Sequence, residues 1–578
     1  MIKEMIAGYT KADFETLHKD AKQRFEEVKY SWLEKLLWTT PARARHLLGT
    51  DRERITGYPI FDGTHLLAQR SFVAGFLEGN TSASRPWLRY VHPDKDRNRY
   101  APNREFLDKV TDRALAHLSG SNFYHEAGQF YYDFGGVDTG AHIIKKRGNS
   151  VHFYTLYPGS YFIINNAFGD VEILVREFSL TAKALVNRYG KKKDGQYDWS
   201  PFSQKVKELY NRTDTITKIE CVEIYLRNKD FNPGVALGGS NRQWTSVVYE
   251  TGIYSASGFN NQNYEPSDRK DPKYLEISYY RRRPFVIGKA QGELYGEKGP
   301  TTDSIGLIRS LNKKAVSKDI AIEKMLDPTT QGPASIRKSY LTTQARRHIP
   351  LDATAAAQGG MKTVYEIPMG LNALVMDVDD MRRQVEKFYY ADFLLFLSNN
   401  PKTRTATEAQ GVMDEQKSVI GPNLQSLNKT YNTIIAEYML DFVVENDEYI
   451  GEIPEDLQGA WIETEFTSPF AQAQKAFDLP QINQFVAQWS QIAQLIPSAW
   501  NNVNINKLAQ IYEDRYQLPA GLNNPATEVE AMMKQAQEQQ LRMQQMEALP
   551  KAASAAKSMA EAKILSQEGN QDAGSTAI

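Results

Sequence analysis

Hydrophobic residues at helical spacing mark two long segments in the C-terminal half of the chain. The first, 376–397, is amphipathic and leads into a short polar loop at 398–405. The second, 406–447, repeats apolar side chains every three or four residues, which is typical of a helix with one buried face. The pattern therefore predicts two long helices joined by a short loop.

The start of the second helix carries a further signal. Thr405 and Glu408 stand at the spacing of a capping box, in which each residue satisfies a backbone donor of the other. Pro422 lies inside the helical pattern and predicts a kink, because proline removes one backbone donor.

The loop between the two helices is cationic. It carries Lys402 and Arg404 beside Asn399 and Asn400. Two cations on a loop tip would suit a passing phosphate backbone, which offers sequence-independent contacts. Two long helices joined in this way indicate a mechanical element rather than a catalytic cleft.

The rest of the chain alternates between helical and strand periods. Residues 10–120 are mostly helical in pattern, and a helical pattern at 101–134 is expected to close at Gly135 and Gly136. From 141 the period changes to two, which is typical of strands. We expect strands at 152–156, 171–175, 218–227, 244–250 and 275–280, and a helix at 180–189. The predicted fold class is α+β, predominantly helical.

A small insert separates two of the long helices. Residues 300–326 predict a helix, and Asp327-Pro328 stops it. The insert that follows, 327–375, is punctuated by proline and glycine, with short strands expected at 339–343 and 363–367. Its basic residues are Arg337, Lys338, Arg346 and Arg347. The pattern predicts a small module on a helical stalk.

Length and composition narrow the classes of function. With 578 residues, several domains are expected, and a net charge of −1 confines any DNA contact to local patches. Cys221 is the only cysteine, which excludes an internal disulfide and a cysteine-rich zinc site. No stretch approaches the roughly 18 apolar residues of a membrane span, so no membrane association is expected.

Candidate enzyme motifs fail on spacing. Residues 296–301 contain glycines and a lysine but lack the spacing of a phosphate-binding loop, and His125-Glu126 lacks the second histidine of a metalloprotease helix. A metal remains an alternative for Asp377, Asp379 and Asp380, but compensation of a helix dipole is favoured. A second acidic set, read as a solvated loop, consists of Glu445, Asp447 and Glu448. We expect no enzyme activity, no catalytic residue, no cofactor and no metal.

Two basic runs leave their roles open. Lys191-Lys192-Lys193 is read as a soluble turn. Arg281-Arg282-Arg283, before Pro284, is read either as structural or as an anchor at a subunit interface.

Several short segments, taken in order, resemble one protein family. They are Ala74-Gly75-Phe76-Leu77, Arg85-Pro86-Trp87-Leu88, Gly169-Asp170-Val171, Arg283-Pro284-Phe285, Glu293-Leu294-Tyr295-Gly296, Gly299-Pro300 and Thr405-Ala406-Thr407-Glu408. Their order and spacing resemble bacteriophage portal proteins, the head-to-tail connectors of short-tailed phages. The resemblance extends from about residue 60 to 565.

The resemblance implies a function and its partners. Portal proteins form rings of twelve identical subunits at one capsid vertex, and DNA is packaged and ejected through the axial channel. The implied partners are further copies of the chain, double-stranded DNA bound without sequence preference, the large terminase subunit, a tail adaptor, and the major capsid and scaffolding proteins. The implied location is the virion, after assembly in the host cytoplasm.

The resemblance also implies a division of the chain. The wing would comprise 1–299 and the long helix 406–447, and the stem helices 300–326 and 376–397. The remaining parts would be a clip at 327–375, a tunnel loop at 398–405, a crown at 448–525, a helical barrel at 526–566 and a disordered tail at 567–578.

Roles for the basic residues follow from that division. Lys402, Arg404, Asn399 and Asn400 would face DNA in the channel, and the four basic residues of the insert would serve docking. Six cations on the stem would line the channel or form ion pairs between subunits: Lys313, Lys314, Lys318, Arg382, Arg383 and Lys387.

Two other functions remain open from the sequence. The chain could be an internal core protein or another oligomeric capsid component without a DNA channel, or a DNA-processing enzyme with an unrecognised site.

Overall fold

The computed structural model describes most of the chain up to residue 495. The described residues are 5–48, 60–94, 97–98, 100–193, 195–235, 238–254, 274–326, 330–331, 357, 362–363, 371–391, 420–471 and 479–495, with isolated residues beyond. The chain divides into two compact units, Met1–Gln474 and Lys475–Ile578. In the second unit, helix α10 spans Leu479–Leu495. The predicted tail at 567–578 lies outside the described residues.

The N-terminal part of the first unit is helical, as predicted. Its helices are α1 (Lys11–Thr39), α2 (Thr64–Gly79), α3 (Ala101–Ser119) and α4 (Phe123–Val137). Thr10 caps α1 through a capping box with Asp13.

The prediction that Gly135 and Gly136 end a helix was wrong. Both glycines lie inside α4, and the chain leaves the helix at Asp138, which has a left-handed φ of 62°. Close packing explains a glycine here, because a Cβ on Gly135 would lie only 3.0 Å from the ring of Phe72.

Two antiparallel sheets form the strand-rich part of the first unit. The five-stranded sheet has the order β10-β9-β8-β5-β4, and the three-stranded sheet has the order β11-β2-β3. The strands are β2 (Thr139–Arg147), β3 (Ser150–Thr155), β4 (Tyr161–Asn165), β5 (Val171–Thr181), β8 (Lys218–Arg227), β9 (Trp244–Tyr254), β10 (Glu276–Tyr280) and β11 (Phe285–Lys289). Short elements lie between β5 and β8: helices α5 (Ala182–Tyr189) and α6 (Gln204–Asn211), and a hairpin of β6 (Lys192–Lys193) and β7 (Gln196–Tyr197).

The long helix at the end of the first unit contains an irregular turn. Residues 420–427 are helical, Asn428–Asn432 form a π turn, and α9 spans Thr433–Asn446. The extra residue of the π turn places Asn432 in the core, where its amide donates to Asn80 Oδ1 at 2.9 Å. The predicted start of this helix at 406 lies outside the described residues, and the kink at Pro422 stays a prediction.

The core joins this helix to the N-terminal helices. The ring of Tyr431 stacks on Phe130 of α4 with centroids 3.9 Å apart. After α9 the chain folds back: β14 (Glu463–Phe466) pairs with β1 (Leu88–Val91), and Phe470 packs on Phe76. Residues 448–471 therefore belong to the first unit, while the predicted crown at 448–525 remains a prediction.

The stalk helices are α7 (Pro300–Leu326) and α8 (Leu371–Phe388). The α7 prediction is confirmed, but α8 begins five residues before the expected 376 and ends at Phe388, where Tyr389 and Tyr390 turn with φ of 56° at Tyr390. Residues 392–397 lie outside the described residues. Within the insert, β12 (Thr330–Gln331) pairs with β13 (Lys362–Thr363), while the strand expected at 339–343 is not among the described residues. Across the described residues, no helix is both long and apolar enough to cross a membrane.

Candidate functional site at the base of the stalk helices

The two stalk helices pack as an antiparallel pair. Thr301 near the start of α7 contacts Tyr389 after the end of α8, and Lys314 further along α7 reaches Asp377. Apolar side chains fill the space between the helices and the body of the unit: Ile308, Leu311, Val378 and Val385, all fully buried or nearly so. Burial of these side chains holds the base of the stalk on the helical core.

A buried polar cluster fixes the point where α7 begins. Thr301 Oγ1 donates to the carbonyl of Gly135 at 2.5 Å and lies 2.7 Å from the hydroxyl of Tyr389. Next to it, Asp138 bonds to Thr302 and forms an ion pair with Lys35, with Nζ and Oδ2 3.0 Å apart. Burial raises the pKa of the Asp138 carboxyl, and Lys35 and Thr302 offset this only in part. The sequence analysis did not predict this anchor. Its only sequence signal was the pair of nearby glycines, Gly296 and Gly299, where a Cβ would collide with Asp138.

Two of the six stalk cations are engaged in ion pairs. Lys314 pairs with Asp377 on the facing helix. Arg382 binds Asp62 with 2.8 Å between Nη2 and Oδ2, and Asp379 with 3.0 Å between Nη1 and Oδ1. These two residues therefore hold the stalk helices to each other and to the segment before α2.

The other four stalk cations have no such partner. Lys313, Lys318, Arg383 and Lys387 make no ion pair with any residue that the structure describes, and all but the half-buried Lys318 are exposed. Unpaired cations on one helix pair can attract an anion such as a phosphate backbone. The structure thus separates two paired stalk cations from four that lack an ion-pair partner among the described residues, a division that the sequence did not give.

The remaining predicted site residues lie outside the described residues. These are Lys402, Arg404, Asn399 and Asn400 of the predicted tunnel loop, and Arg337, Lys338, Arg346 and Arg347 of the predicted clip. Their roles stay predictions.

The favoured interpretation of the first acidic set was wrong. Asp377, Asp379 and Asp380 do not lie in the first turn of α8, because that helix begins at Leu371. A helix dipole acts mainly within the first turn. Instead they bind side chains: Lys314, Arg382 and Gln384, respectively.

The second acidic set contains a buried residue that the sequence placed in a solvated loop. The side chain of Asp447 is 2% exposed and bonds to Arg113 at 2.6 Å and to His117 at 3.0 Å. Burial opposes ionisation, yet the hydrogen bonds from Arg113, the Tyr449 backbone and His117 lower the pKa of Asp447. The partners lie more than three hundred residues away along the chain, so no local pattern could indicate them.

The three consecutive arginines 281–283 differ in whether they pair with a carboxylate. Arg281 and Arg282 both bind Asp441 of α9, with shortest N–O distances of 3.3 and 2.8 Å, and so have a structural role. Arg283 has no carboxylate partner among the described residues and stacks on the ring of Phe285.

Comparison of the chain with known proteins identifies its family. The family model described as "Bacteriophage head to tail connecting protein" matches residues 11–523. The chain is 27% identical over 489 residues to the "Probable portal protein" of Bordetella phage BPP-1, covering 84% of this chain and 83% of that protein. It is 25% identical over 554 residues to the "Portal protein" of Salmonella phage epsilon15, covering 94% and 93%.

A distant structural likeness was also found, to a chain of the "Virion of native gene transfer agent (GTA) particle". That match has a TM-score of 0.33 and 10% identity, and covers 82% of this chain and 99% of that chain. The family model, in contrast, matches most of the sequence. The chain belongs to the family of bacteriophage head to tail connecting proteins.

Proposed function

We propose that this chain is a portal subunit that forms a ring around a channel for double-stranded DNA at one vertex of a phage capsid. Family membership supports the connector role, and the relatives named as portal proteins support the channel. The proposed DNA contact is supported by four cations on the stalk helices that have no ion-pair partner among the described residues: Lys313, Lys318, Arg383 and Lys387. The role is structural rather than enzymatic.

Weak attraction suits a channel through which DNA must slide. The chain has a net charge of −1, with 69 basic and 70 acidic residues, so it does not attract DNA as a whole. Each phosphate contact adds sequence-independent affinity, and many of them would hold the DNA in place. A few cations repeated around a ring provide guidance without sequence preference.

The finer assignments follow from the same proposal. The ring contains twelve subunits, the loop 398–405 faces the DNA, and the insert 327–375 docks the large terminase subunit and later a tail adaptor. The wing contacts the major capsid and scaffolding proteins. Assembly takes place in the host cytoplasm, and the ring ends at the portal vertex of the virion.

Imaging of the purified chain tests the ring. Negative-stain or cryo-electron microscopy should show a closed ring with a central hole wide enough for a DNA duplex. A filament, a solid particle or a persistent monomer would contradict the proposal, and nuclease or ATPase activity of the isolated chain would favour an enzyme instead.

The stalk cations allow a matched comparison. Replacing these four proposed DNA-contact residues with alanine should leave the ring intact and make the negative slope of log K against log salt for DNA binding shallower, by up to about 0.9 per lost phosphate contact. Replacing the paired Lys314 and Arg382 should instead lower thermal stability. Equal effects of the two sets on DNA binding would remove the basis for the proposed contact.

The loop cations are tested by packaging. The double variant Lys402→Ala with Arg404→Ala should still form rings but package or retain less DNA. Lys191→Ala with Lys192→Ala, two exposed cations at the start of the hairpin β6–β7, is the matched control and should change neither. Loss of the ring in the loop variant would show that the loop is structural.

A further inference from the structure

An open cavity of about 1460 Å³ lies between the strand-rich part and the long C-terminal helix of the first unit. Its walls come from the β4–β5 turn, strands β8, β9 and β11, and residues 426–437. It exceeds the range of about 300–1,000 Å³ typical of small-molecule sites. A segment of polypeptide fits this space better than a small ligand does.

Two arginines in this cavity make cation–π contacts with aromatic rings. The Arg227 guanidinium lies 5.6 Å from the ring centre of Trp244, and the Arg283 guanidinium lies 4.4 Å from that of Phe285. The two rings pack edge to face, with centroids 5.5 Å apart. A guanidinium that contacts a ring face can still donate hydrogen bonds in its own plane.

Neither arginine forms an ion pair at bonding distance with a residue that the structure describes, although Asp170 and Glu437 act on Arg283 from further away. Two other cations of the cavity are engaged: Lys429 binds Asp170 at 3.1 Å, and Arg282 binds Asp441 at 2.8 Å. Arg283 Nε is buried without a hydrogen bond. Burial, with a smaller contribution from the like charge of Arg227, lowers the pKa of Arg283 to about 10, although the carboxylates of Asp170 and Glu437 oppose this. A buried donor of this kind is costly unless a ligand satisfies it.

The lining also indicates the kind of anion. Five carboxylates face the same cavity, those of Glu27, Asp170, Glu172, Glu293 and Glu437. They would repel a polyanion such as DNA but tolerate one carboxylate on a segment that also carries cations or neutral groups. A protein segment therefore fits the charge pattern, and a DNA backbone does not.

An exposed phenylalanine on a hydrogen-bonded turn lies at the rim of the cavity. Phe168 is 88% exposed, although Asn166 Oδ1 accepts from the backbone N–H groups of Phe168 and Asp170 at 2.9 and 3.0 Å. The buried Lys289 donates to the carbonyl of Gly169 at 3.1 Å and holds the turn in place. An apolar side chain displayed on a fixed turn is suited to contact another protein.

We propose that Arg227 and Arg283 bind a carboxylate of a neighbouring copy of this chain, which enters the cavity beside Phe168 when subunits assemble. The inference rests on the proposed ring. A closed ring of identical subunits uses head-to-tail contacts, so a socket on one flank must receive a different surface of the next copy. A bidentate guanidinium–carboxylate pair, shielded from water in this cavity, would make that contact specific.

A double variant tests the energetic role. Arg227→Ala with Arg283→Ala should raise the fraction of free subunit, measured by mass photometry at fixed concentration and salt, by roughly tenfold or more. Arg188→Ala is the matched control, because Arg188 also stacks on aromatic rings, those of Phe178 and Tyr189, but does not line the cavity. Circular dichroism verifies that each subunit is folded. Arg283→Lys, which keeps the charge but loses the fork of donors, should have an intermediate effect.

Cross-linking identifies the occupant. Phe168→Cys can be labelled with a maleimide photo-cross-linker, since the only native cysteine, Cys221, is 1% exposed. Illuminated rings should give covalent dimers, and mass spectrometry should find an acidic peptide of the second copy. Links only to DNA or within one subunit would overturn the inference, as would an unaltered ring in the double variant. A wild-type chain that forms no ring would overturn the proposed function as well.

Discussion

Arg382 of α8 donates from both Nε and Nη2 to a single oxygen of Asp62, at 2.9 and 2.8 Å. The other oxygen of Asp62 accepts from the backbone N–H of Thr64 at 3.0 Å, and the backbone N–H of Asp62 donates to Asn312 of α7 at 3.1 Å. The short segment before α2 therefore holds both stalk helices at their base.

The first prediction concerns this clamp. Asp62→Asn removes the charge but keeps an acceptor for Thr64, and should lower the free energy of unfolding of the first unit by about 1–2 kcal/mol. This loss in free energy is at the low end for a charged hydrogen bond because the Arg382 side chain is 41% exposed. Urea denaturation measures the loss. Asp379→Asn, which removes the exposed partner of the same arginine, should cost less, and an equal loss would show that Asp62 has no special role.

A glycine pair on the stalk gives the second prediction. A Cβ on Gly299 would lie 1.9 Å from Asp138 Oδ1, whereas one on Gly306 would meet nothing within 4 Å. Gly299→Ala should displace Asp138 and destabilise the unit by about 1–3 kcal/mol or more, as overpacking does. Gly306→Ala, inside α7, should stabilise it by about 0.5–1 kcal/mol, because alanine restricts the unfolded chain. Thermal unfolding of both variants should show shifts of opposite sign, and a neutral Gly299→Ala would contradict the packing at this site.

The third prediction concerns pH. Burial lowers the pKa of His142 from 6.5 to about 4, and a hydrogen bond to the carbonyl of Glu126 offsets this only in part. The unfolded chain therefore binds a proton below about pH 6.5 that the folded chain does not accept until about pH 4. Stability should fall as pH drops through this window, by up to about 3 kcal/mol.

The variant His142→Gln isolates that effect. It should flatten the dependence of stability on pH between 6.5 and 4. His125→Gln, at an exposed position of α4, is the control variant. Parallel curves for the wild type and His142→Gln would show that other groups cause the acid sensitivity.

The fourth prediction concerns a buried carboxylate of the five-stranded sheet. Glu223 is fully buried and pairs with Lys145 at 2.7 Å and Arg176 at 3.4 Å. Glu223→Ala leaves two partly buried cations without their partner and should cost about 3–5 kcal/mol. Glu276→Ala removes an exposed carboxylate of the same sheet and should change stability by less than about 0.5 kcal/mol. Chemical denaturation compares them, and similar values would mean that the pairing is not stabilising.

The success of each prediction from the sequence depended on whether an element is buried on one face. Lys218–Arg227 was predicted with its observed bounds, and α7 was found because its apolar residues face one side. Strands β2, β4 and β11 were not predicted individually, although a strand period was expected from residue 141 onward. In β11 every residue is buried, and β2 is buried over its first six, so neither shows an alternation of polar and apolar residues.

The sequence by itself determined the helical stalk, the strand-rich part between helical regions and the resemblance to portal proteins, because these depend on periodicity and on the order of short motifs. Only the tertiary structure decided which charges are paired. Arg382 pairs with Asp62, and Asp447 pairs with Arg113, although each pair is more than three hundred residues apart along the chain. Local sequence encodes the period of an element but not its distant neighbours, and it is the neighbours that decide whether a charged side chain stabilises the fold or remains free to bind a partner.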